Sequence, residues 1–238
     1  MKLLGSLEKP FYATVNPVVE RLIRAGVRPN TITTVGTGLV LVSAVVYATG
    51  HVRLGGALLL LSGIADTLDG QVARGGAMVT RFGAFYDSTL DRVGDGATFI
   101  GIGAFFLTAP DVAYRIPAAI LCMVAILASV LVSYARARAE GLGLDCKVGI
   151  AQRAERILGL GIASLVFGAG PRALLLETIV ALLAIASIIT VVQRFVYVYR
   201  HAGEVDEALG LEEVKQAVEV KRPAEVQHAS FDTLAKGP

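Results

Sequence analysis

The sequence predicts an all-α integral membrane protein, with six transmembrane helices preceded by an N-terminal amphipathic helix on the membrane surface. Three observations predict it. Hydrophobic residues make up 54% of the chain and the mean hydropathy is +0.64, whereas soluble domains are roughly 45–50% apolar. These residues gather into long stretches nearly free of charge, separated by short polar segments. Glycine is abundant, at 26, and tryptophan is absent; small residues let helix backbones approach closely in lipid.

Residues 1–28 read as an amphipathic juxtamembrane segment. Phe11, Val15, Val18, Val19, Leu22 and Ile23 recur at helical spacing, with Glu20, Arg21 and Arg24 elsewhere, as in a helix lying in the interface. The charges also interrupt any signal-peptide pattern, so the first span is expected to act as the targeting signal. Arg28-Pro29-Asn30-Thr31 breaks the chain and starts a helix, with Asn30 or Thr31 as N-cap.

Residues 29–201 form the expected six-helix transmembrane domain. Span 1 runs from Ile32 to Thr49 and is uncharged. Span 2 begins near Leu54 and passes through Ala65 into an acidic motif. A short loop over residues 75–82 leads to span 3, from Gly83 to Leu107. Ala109-Pro110-Asp111 turns the chain into span 4, Ile116 to Ala135, whose Pro117 falls in the tolerated first turn. Residues 136–156 are polar and basic. Span 5 runs from Ile157 to about Phe167 and span 6 from Ala173 to about Val192. Each needs about 20 residues, with its flanks, to cross roughly 30 Å of hydrocarbon. Residues 202–238 are charged and read as a soluble, flexible tail with one short helix around Leu211 to Val220.

An even number of spans places both termini on one side. Arg74 and Arg81 lie in the loop between spans 2 and 3, and Arg136, Arg138, Lys147, Arg153 and Arg156 in that between spans 4 and 5. The opposite connections hold only Arg53, Arg115 and Arg172. Positive residues mark the cytoplasmic side, so the termini and the acidic motif are expected to be cytoplasmic, in a multi-pass cell-membrane protein. Cys122 and Cys146 offer neither a disulfide framework nor metal-ligand spacing. The net charge of +2 is uninformative, and no nucleic-acid partner is expected.

The acidic motif carries the chemistry. Asp66 and Asp69 are spaced i, i+3, and Asp87 and Asp91 i, i+4, so each pair shares a helix face. Two facing helices would bring four carboxylates together, which requires a cation. Oxygen-only ligands favour Mg²⁺, Mn²⁺ or Ca²⁺. An intramembrane Asp costs about 2.5–3.5 kcal/mol at mid-span, so such residues are functional by default. Gly70 and Gly83 would let a ligand come close, Ala73 is small on the same face, and Arg74 suits phosphate. Two metals could bridge a diphosphate, and a free carboxylate could take a proton from a hydroxyl. Read alone, the residues also permit a proton or ion pathway in a Mg²⁺-binding transporter, structural pairing with Arg74, Arg81 and Arg92, or an isolated Mg²⁺ site.

The pattern D-x2-D-G-x2-A-R-x8-G-x3-D-x3-D, filled by Asp66, Asp69, Gly70, Ala73, Arg74, Gly83, Asp87 and Asp91, resembles the signature of the CDP-alcohol phosphatidyltransferase family. The resemblance covers about residues 5–200. It implies a CDP-linked lipid donor, usually CDP-diacylglycerol, attacked by the hydroxyl of a small polar alcohol, with CMP leaving. It further implies that Asp66, Asp69, Asp87 and Asp91 hold divalent metal, Mg²⁺ or Mn²⁺ and two ions, with Asp91 as general base. Gly70, Ala73, Arg74 and Gly83 would line the nucleotide and diphosphate site, with Thr80 and the Pro29-Asn30-Thr31-Ile32 helix start as further contacts. A homodimer is implied as well. Asp95, one turn beyond Asp91, reads as a hydrogen-bond partner rather than a ligand.

The acceptor is sought in two segments, Ser133 to Gly143 and Gly149 to Arg156. Ser133 with Arg136, and Arg153 with Arg156, share faces at i, i+3, and Arg194 is embedded among apolar residues of span 6. Arginine forks match phosphate oxygens. The acceptor site is therefore expected to comprise Ser133, Arg136, Arg153 and Arg194 and to take a small phosphorylated polyol. These segments resemble those of bacterial enzymes using inositol phosphate, although Ala154 stands where proline would be expected. Glycerol 3-phosphate, as in phosphatidylglycerophosphate synthases, is the competing acceptor.

Overall fold

Helices appear where the sequence is apolar and unbroken, and they end at glycine and proline. The computed structural model of the protein describes residues 15–210. Among these residues it contains α1 (residues 15–24), α2 (Pro29–Ala48), α3 (Val52–Gly75), α4 (Arg81–Thr108), α5 (Arg115–Glu140), α6 (Arg153–Phe167), a 3₁₀ turn (Pro171–Ala173) and α7 (Leu174–Leu209). No strand occurs among the described residues. Phe11 and the short helix expected after Leu211 lie outside them.

Six helices close into a ring: α2 packs on α3, α3 on α6, α6 on α7, α7 on α5, α5 on α4, and α4 again on α2. Short connections make α2 and α3, α3 and α4, and α4 and α5 antiparallel. The large apolar core gathers Tyr47 from the end of α2, Leu59 from α3, Phe99, Ile102 and Phe106 from α4, Cys122 from α5, and Leu176 and Val180 from the start of α7. That core fills one half of the bundle. The opposite half, where α2 and α4 begin and α3 ends, receives the acidic motif.

Glycine sets the closeness of two crossings. A Cβ at Gly101 of α4 would collide with the Ala44 carbonyl on α2. One at Gly56 of α3 would lie 2.8 Å from the Gly161 oxygen on α6. Ser43 Oγ adds a 2.7 Å hydrogen bond to the Gly55 carbonyl, satisfying a buried hydroxyl between α2 and α3.

α2, α5 and the α7 region are long and apolar enough to cross a membrane, by length and composition. Large apolar side chains point outward, among them Ile100 at 63%, Leu127 at 60% and Leu182 at 61% exposure, a pattern suited to lipid contact. α3 and α4 are 24 and 28 residues long but carry the acidic motif. α6, at 15 residues, measures only about 22 Å at 1.5 Å per residue. α7 runs 36 residues without a break, passing the change in composition at His201. α1 does more than lie apart: Val15 and Val19 are buried with Val72 of α3, and Leu22, Ile23, Ile32 and Leu68 pack around them. Its Glu20, Arg21 and Arg24 are exposed.

Candidate active site

Local sequence positions every acidic side chain. α3 continues through Gly70, carrying Asp66, Asp69, Ala73 and Arg74 on its last turns, and stops at Gly75-Gly76. After the short loop, α4 starts at a cap: Thr80 Oγ1 accepts from the Gly83 amide at 2.9 Å, satisfying one of the free amides of the first turn. Asp87 and Asp91 follow on successive turns. The two helices run antiparallel, so both pairs converge at one end of the bundle.

One oxygen each from Asp66, Asp69 and Asp87 lies within 4.8 Å of the others. Asp69 is 6% exposed, and its Oδ2 accepts a 2.7 Å hydrogen bond from Thr33 Oγ1 on α2. Asp87 Oδ1 is buried without a hydrogen-bond partner. Among the described residues no lysine or arginine pairs with Asp69 or Asp87. Three converging carboxylates with an unmet acceptor suit a hard divalent cation, which takes oxygen ligands and offsets their repulsion.

Asp91 stands outside that trio. Its Oδ1 is 3.0 Å from Arg153 Nη1, and the same nitrogen lies 2.7 Å from Asp66 Oδ1. Arg153 Nε is 3.7 Å from Asp95 Oδ1, while Arg156 Nη2 is 2.5 Å from Asp95 Oδ2. Asp95 is thus a hydrogen-bonded ion-pair partner joining α4 to α6, as its position suggested. Arg156 is 4% exposed, and partnership with Asp95 compensates the cost of burying it.

Beside the carboxylates opens a cavity of about 290 Å³. Pro29, Asn30, Gly70, Ala73, Arg74, Thr80 and Gly83 line it with Asp69 and Asp87, so seven of the nine residues expected to contact the CDP-lipid meet at one space. A Cβ at Gly83 would come 2.9 Å from Thr80 Oγ1 and 3.3 Å from Asn30 Oδ1, disturbing both the cap and the wall. Thr31 is exposed and Ile32 packs toward α1; neither lines the cavity. Thr34 Oγ1 and Tyr86 OH, 2.9 Å apart, tie α2 to α4 at the rim.

The four residues expected at the acceptor site have different partners in this structure. Arg153 joins the carboxylates. Arg136 Nε pairs with Glu140 at 2.8 Å on the surface of α5, and Ser133 is half-buried on that helix. Arg194 is 2% exposed; its Nε donates to the Val148 carbonyl at 3.0 Å and its Nη1 to the Val132 carbonyl. Sequence reasoning missed Thr33, although it lies one turn beyond Asn30 and faces the same space. Met78, Val79 and Ala84 also line the cavity and carry no sequence signal.

The family model described as CDP-alcohol phosphatidyltransferase matches residues 27–198. The phosphatidylinositol phosphate synthase of Mycobacteroides abscessus is 36% identical over 209 residues, 85% of this chain and 91% of that protein. The archaetidylinositol phosphate synthase of Methanothermobacter thermautotrophicus is 38% identical, over 77% of this chain and 92% of that protein. Among solved structures, Mycobacterium tuberculosis phosphatidylinositol phosphate synthase in complex with manganese and citrate is similar at TM-score 0.67 and 34% identity, over 77% of this chain and 88% of that one. The same enzyme with CDP-DAG bound matches at TM-score 0.67 and 33% identity, over 77% of this chain and 92% of that one.

Proposed function

Because the chain belongs to the CDP-alcohol phosphatidyltransferase family, we propose that it transfers a phosphatidyl group from CDP-diacylglycerol to a hydroxyl of inositol phosphate, giving phosphatidylinositol phosphate and CMP with divalent-metal catalysis. One observation carries the reading: three carboxylates within 4.8 Å of one another border a cavity lined by Gly70, Ala73, Arg74 and Gly83. The relatives' shared acceptor chemistry supports inositol phosphate over glycerol 3-phosphate. The protein is an integral membrane enzyme.

Asp66, Asp69 and Asp87, with Asp91 beside them, are the proposed ligands of Mg²⁺ or Mn²⁺. When bound, two such ions would polarise the diphosphate oxygens and offset charge on the leaving phosphate. Thr33 fixes the Asp69 carboxylate by its 2.7 Å hydrogen bond. Gly70 and Gly83 leave the diphosphate room, Arg74 offers a fork to its oxygens, and Pro29, Asn30 and Thr80 border the nucleotide. Thr31 and Ile32 belong to the proposed donor site through the helix start they form.

Asp91 is the proposed general base. It accepts the proton of the acceptor hydroxyl as that oxygen bonds to the lipid-side phosphorus and the bond to the CMP oxygen breaks. Arg153, 3.0 Å from Asp91, would hold the acceptor's phosphate within reach of the base, so orientation contributes to rate. Ser133 and Arg136 on α5 and Arg194 on α7 complete the proposed acceptor site.

The same reading takes residues 1–28 as a surface helix and residues 29–201 as a catalytic domain of six spans. Residues 202–238 form the tail, and both termini and the site face the cytoplasm. α1's exposed charges and the basic loops support this. A homodimer, implied by family resemblance, belongs to the same proposal.

Purified protein with Mg²⁺ and CDP-diacylglycerol is expected to release CMP with inositol phosphate and not with serine. CMP release with glycerol 3-phosphate alone would reassign the acceptor. No release with any polyol, polyol phosphate or amino alcohol would overturn the enzyme reading.

A further inference from the structure

We propose that Thr190, on α7, is a positioning residue for acceptor recognition: it fixes the backbone that leads into Arg153. The inference rests on the proposed contact between Arg153 and the acceptor.

Thr190 is fully buried, and its single hydroxyl is saturated. Oγ1 donates to the Ala186 carbonyl at 2.9 Å, within its own helix. Its two lone pairs accept from the amides of Ile150 at 3.2 Å and Ala151 at 3.0 Å. A hydroxyl offers one donor and two acceptor positions, and all three are used. The segment between α5 and α6 has no regular structure here, so these amides have no helix to satisfy them, and an unmet buried amide is costly.

The approach is close because residue 149 is glycine. Gly149 has φ +139°, a conformation that L side chains rarely adopt. A Cβ there would also run into Thr190 Cγ2. Arg194, one turn further along α7, takes the Val148 carbonyl at 3.0 Å. Ala151 is 2% exposed and its carbonyl accepts from Arg156 Nη1 at 3.0 Å. The Val148 carbonyl, the Ile150 amide and both backbone groups of Ala151 are therefore held, and Arg153 follows two residues later with its guanidinium between Asp66 and Asp91. Side-chain direction at the first residue of a helix depends on the entering backbone. Releasing two amides at 150 and 151 would let that entry shift, and a shift of about 1 Å at a positioning group can cost up to a hundredfold.

The test uses the full-length protein in lipid nanodiscs, with Mg²⁺, CDP-diacylglycerol and inositol phosphate, reading CMP release. Thr190→Val keeps the shape and removes the oxygen; Thr190→Ser keeps the oxygen. Thr190→Val is expected to raise the acceptor KM about tenfold while the CDP-diacylglycerol KM stays within about twofold. Thr190→Ser should restore the acceptor KM. A parallel rise in both KM values, or a Thr190→Ser variant as impaired as Thr190→Val, would overturn the proposal. Arg153→Ala separates the two readings. If it raises the acceptor KM and Thr190→Val does not, this inference alone fails. If Arg153→Ala leaves the acceptor KM unchanged, the acceptor reading fails and takes this inference with it. Should Thr190→Val not fold, amide exchange of the unaltered protein decides: protection of Ile150 and Ala151 supports the clamp, and exchange as fast as at exposed Asp145 and Lys147 overturns it.

Discussion

Asp91 faces Arg153 at 3.0 Å while its neighbour Asp87 turns toward the other two carboxylates. One helical turn thus separates the carboxylate of the proposed base from that of a proposed metal ligand. Asp91→Asn is expected to cut turnover by about 10²–10⁴-fold, the usual worth of a positioned base. Binding of CDP-diacylglycerol should survive, as measured by titration of the donor lipid in the presence of Mg²⁺. Loss of donor binding along with turnover would make Asp91 mainly a metal ligand. The aspartates were legible in the sequence because i, i+3 and i, i+4 spacing fixes a helix face before any tertiary contact is known. Thr33 and Thr190 were not. Each matters through a partner 36 or 39 positions away, and a threonine in an apolar helix reads as filler until the facing element is placed. Arg194 was singled out for its place among apolar residues; its hydrogen bonds from Nε and Nη1 to the Val148 and Val132 carbonyls could not be read before α5 and the following loop were placed against α7.

At the scale of elements, the crossing of α2 and α4 sets the width of the site. Both helices begin at the cavity, and they meet farther along where Gly101 touches the Ala44 backbone. Gly101→Leu forces a side chain into a carbonyl that cannot move without its helix. The expected outcome is a loss of about 1–3 kcal/mol or more, read as a lower unfolding midpoint in detergent, with a raised CDP-diacylglycerol KM from a splayed cavity. Gly96, whose Cβ would meet nothing within 4 Å, provides the control: Gly96→Ala should leave both quantities nearly unchanged. Helix positions were well marked in the sequence, since apolar length and the glycine and proline breaks act locally. The pairing of helices into a ring was not, because lipid-facing and core-facing apolar side chains look alike in composition. The unbroken run of α7 beyond His201 was equally hidden: charged residues end a membrane span without ending a helix.

For the molecule as a whole, the two halves have opposite character. One is held by apolar packing around Tyr47, Ile102 and Phe106; the other holds carboxylates that repel one another unless cations join them. Chelation with EDTA is expected to abolish CMP release and to lower apparent stability. A ligand present at a hundred times its Kd contributes about 2.7 kcal/mol through mass action, so thermal melts with and without Mg²⁺ should differ accordingly. An unfolding midpoint indifferent to Mg²⁺ and Mn²⁺ alike would contradict the carboxylate cluster as their site. The charge balance has a further result. Five aspartates, 66, 69, 87, 91 and 95, meet three guanidiniums, those of Arg92, Arg153 and Arg156. Without cations, that surplus of carboxylates is expected to disfavour diphosphate donor, phosphorylated acceptor and CMP alike. An order of events is then expected: cations first, substrates next, with product inhibition by CMP appearing only once the cations are in place.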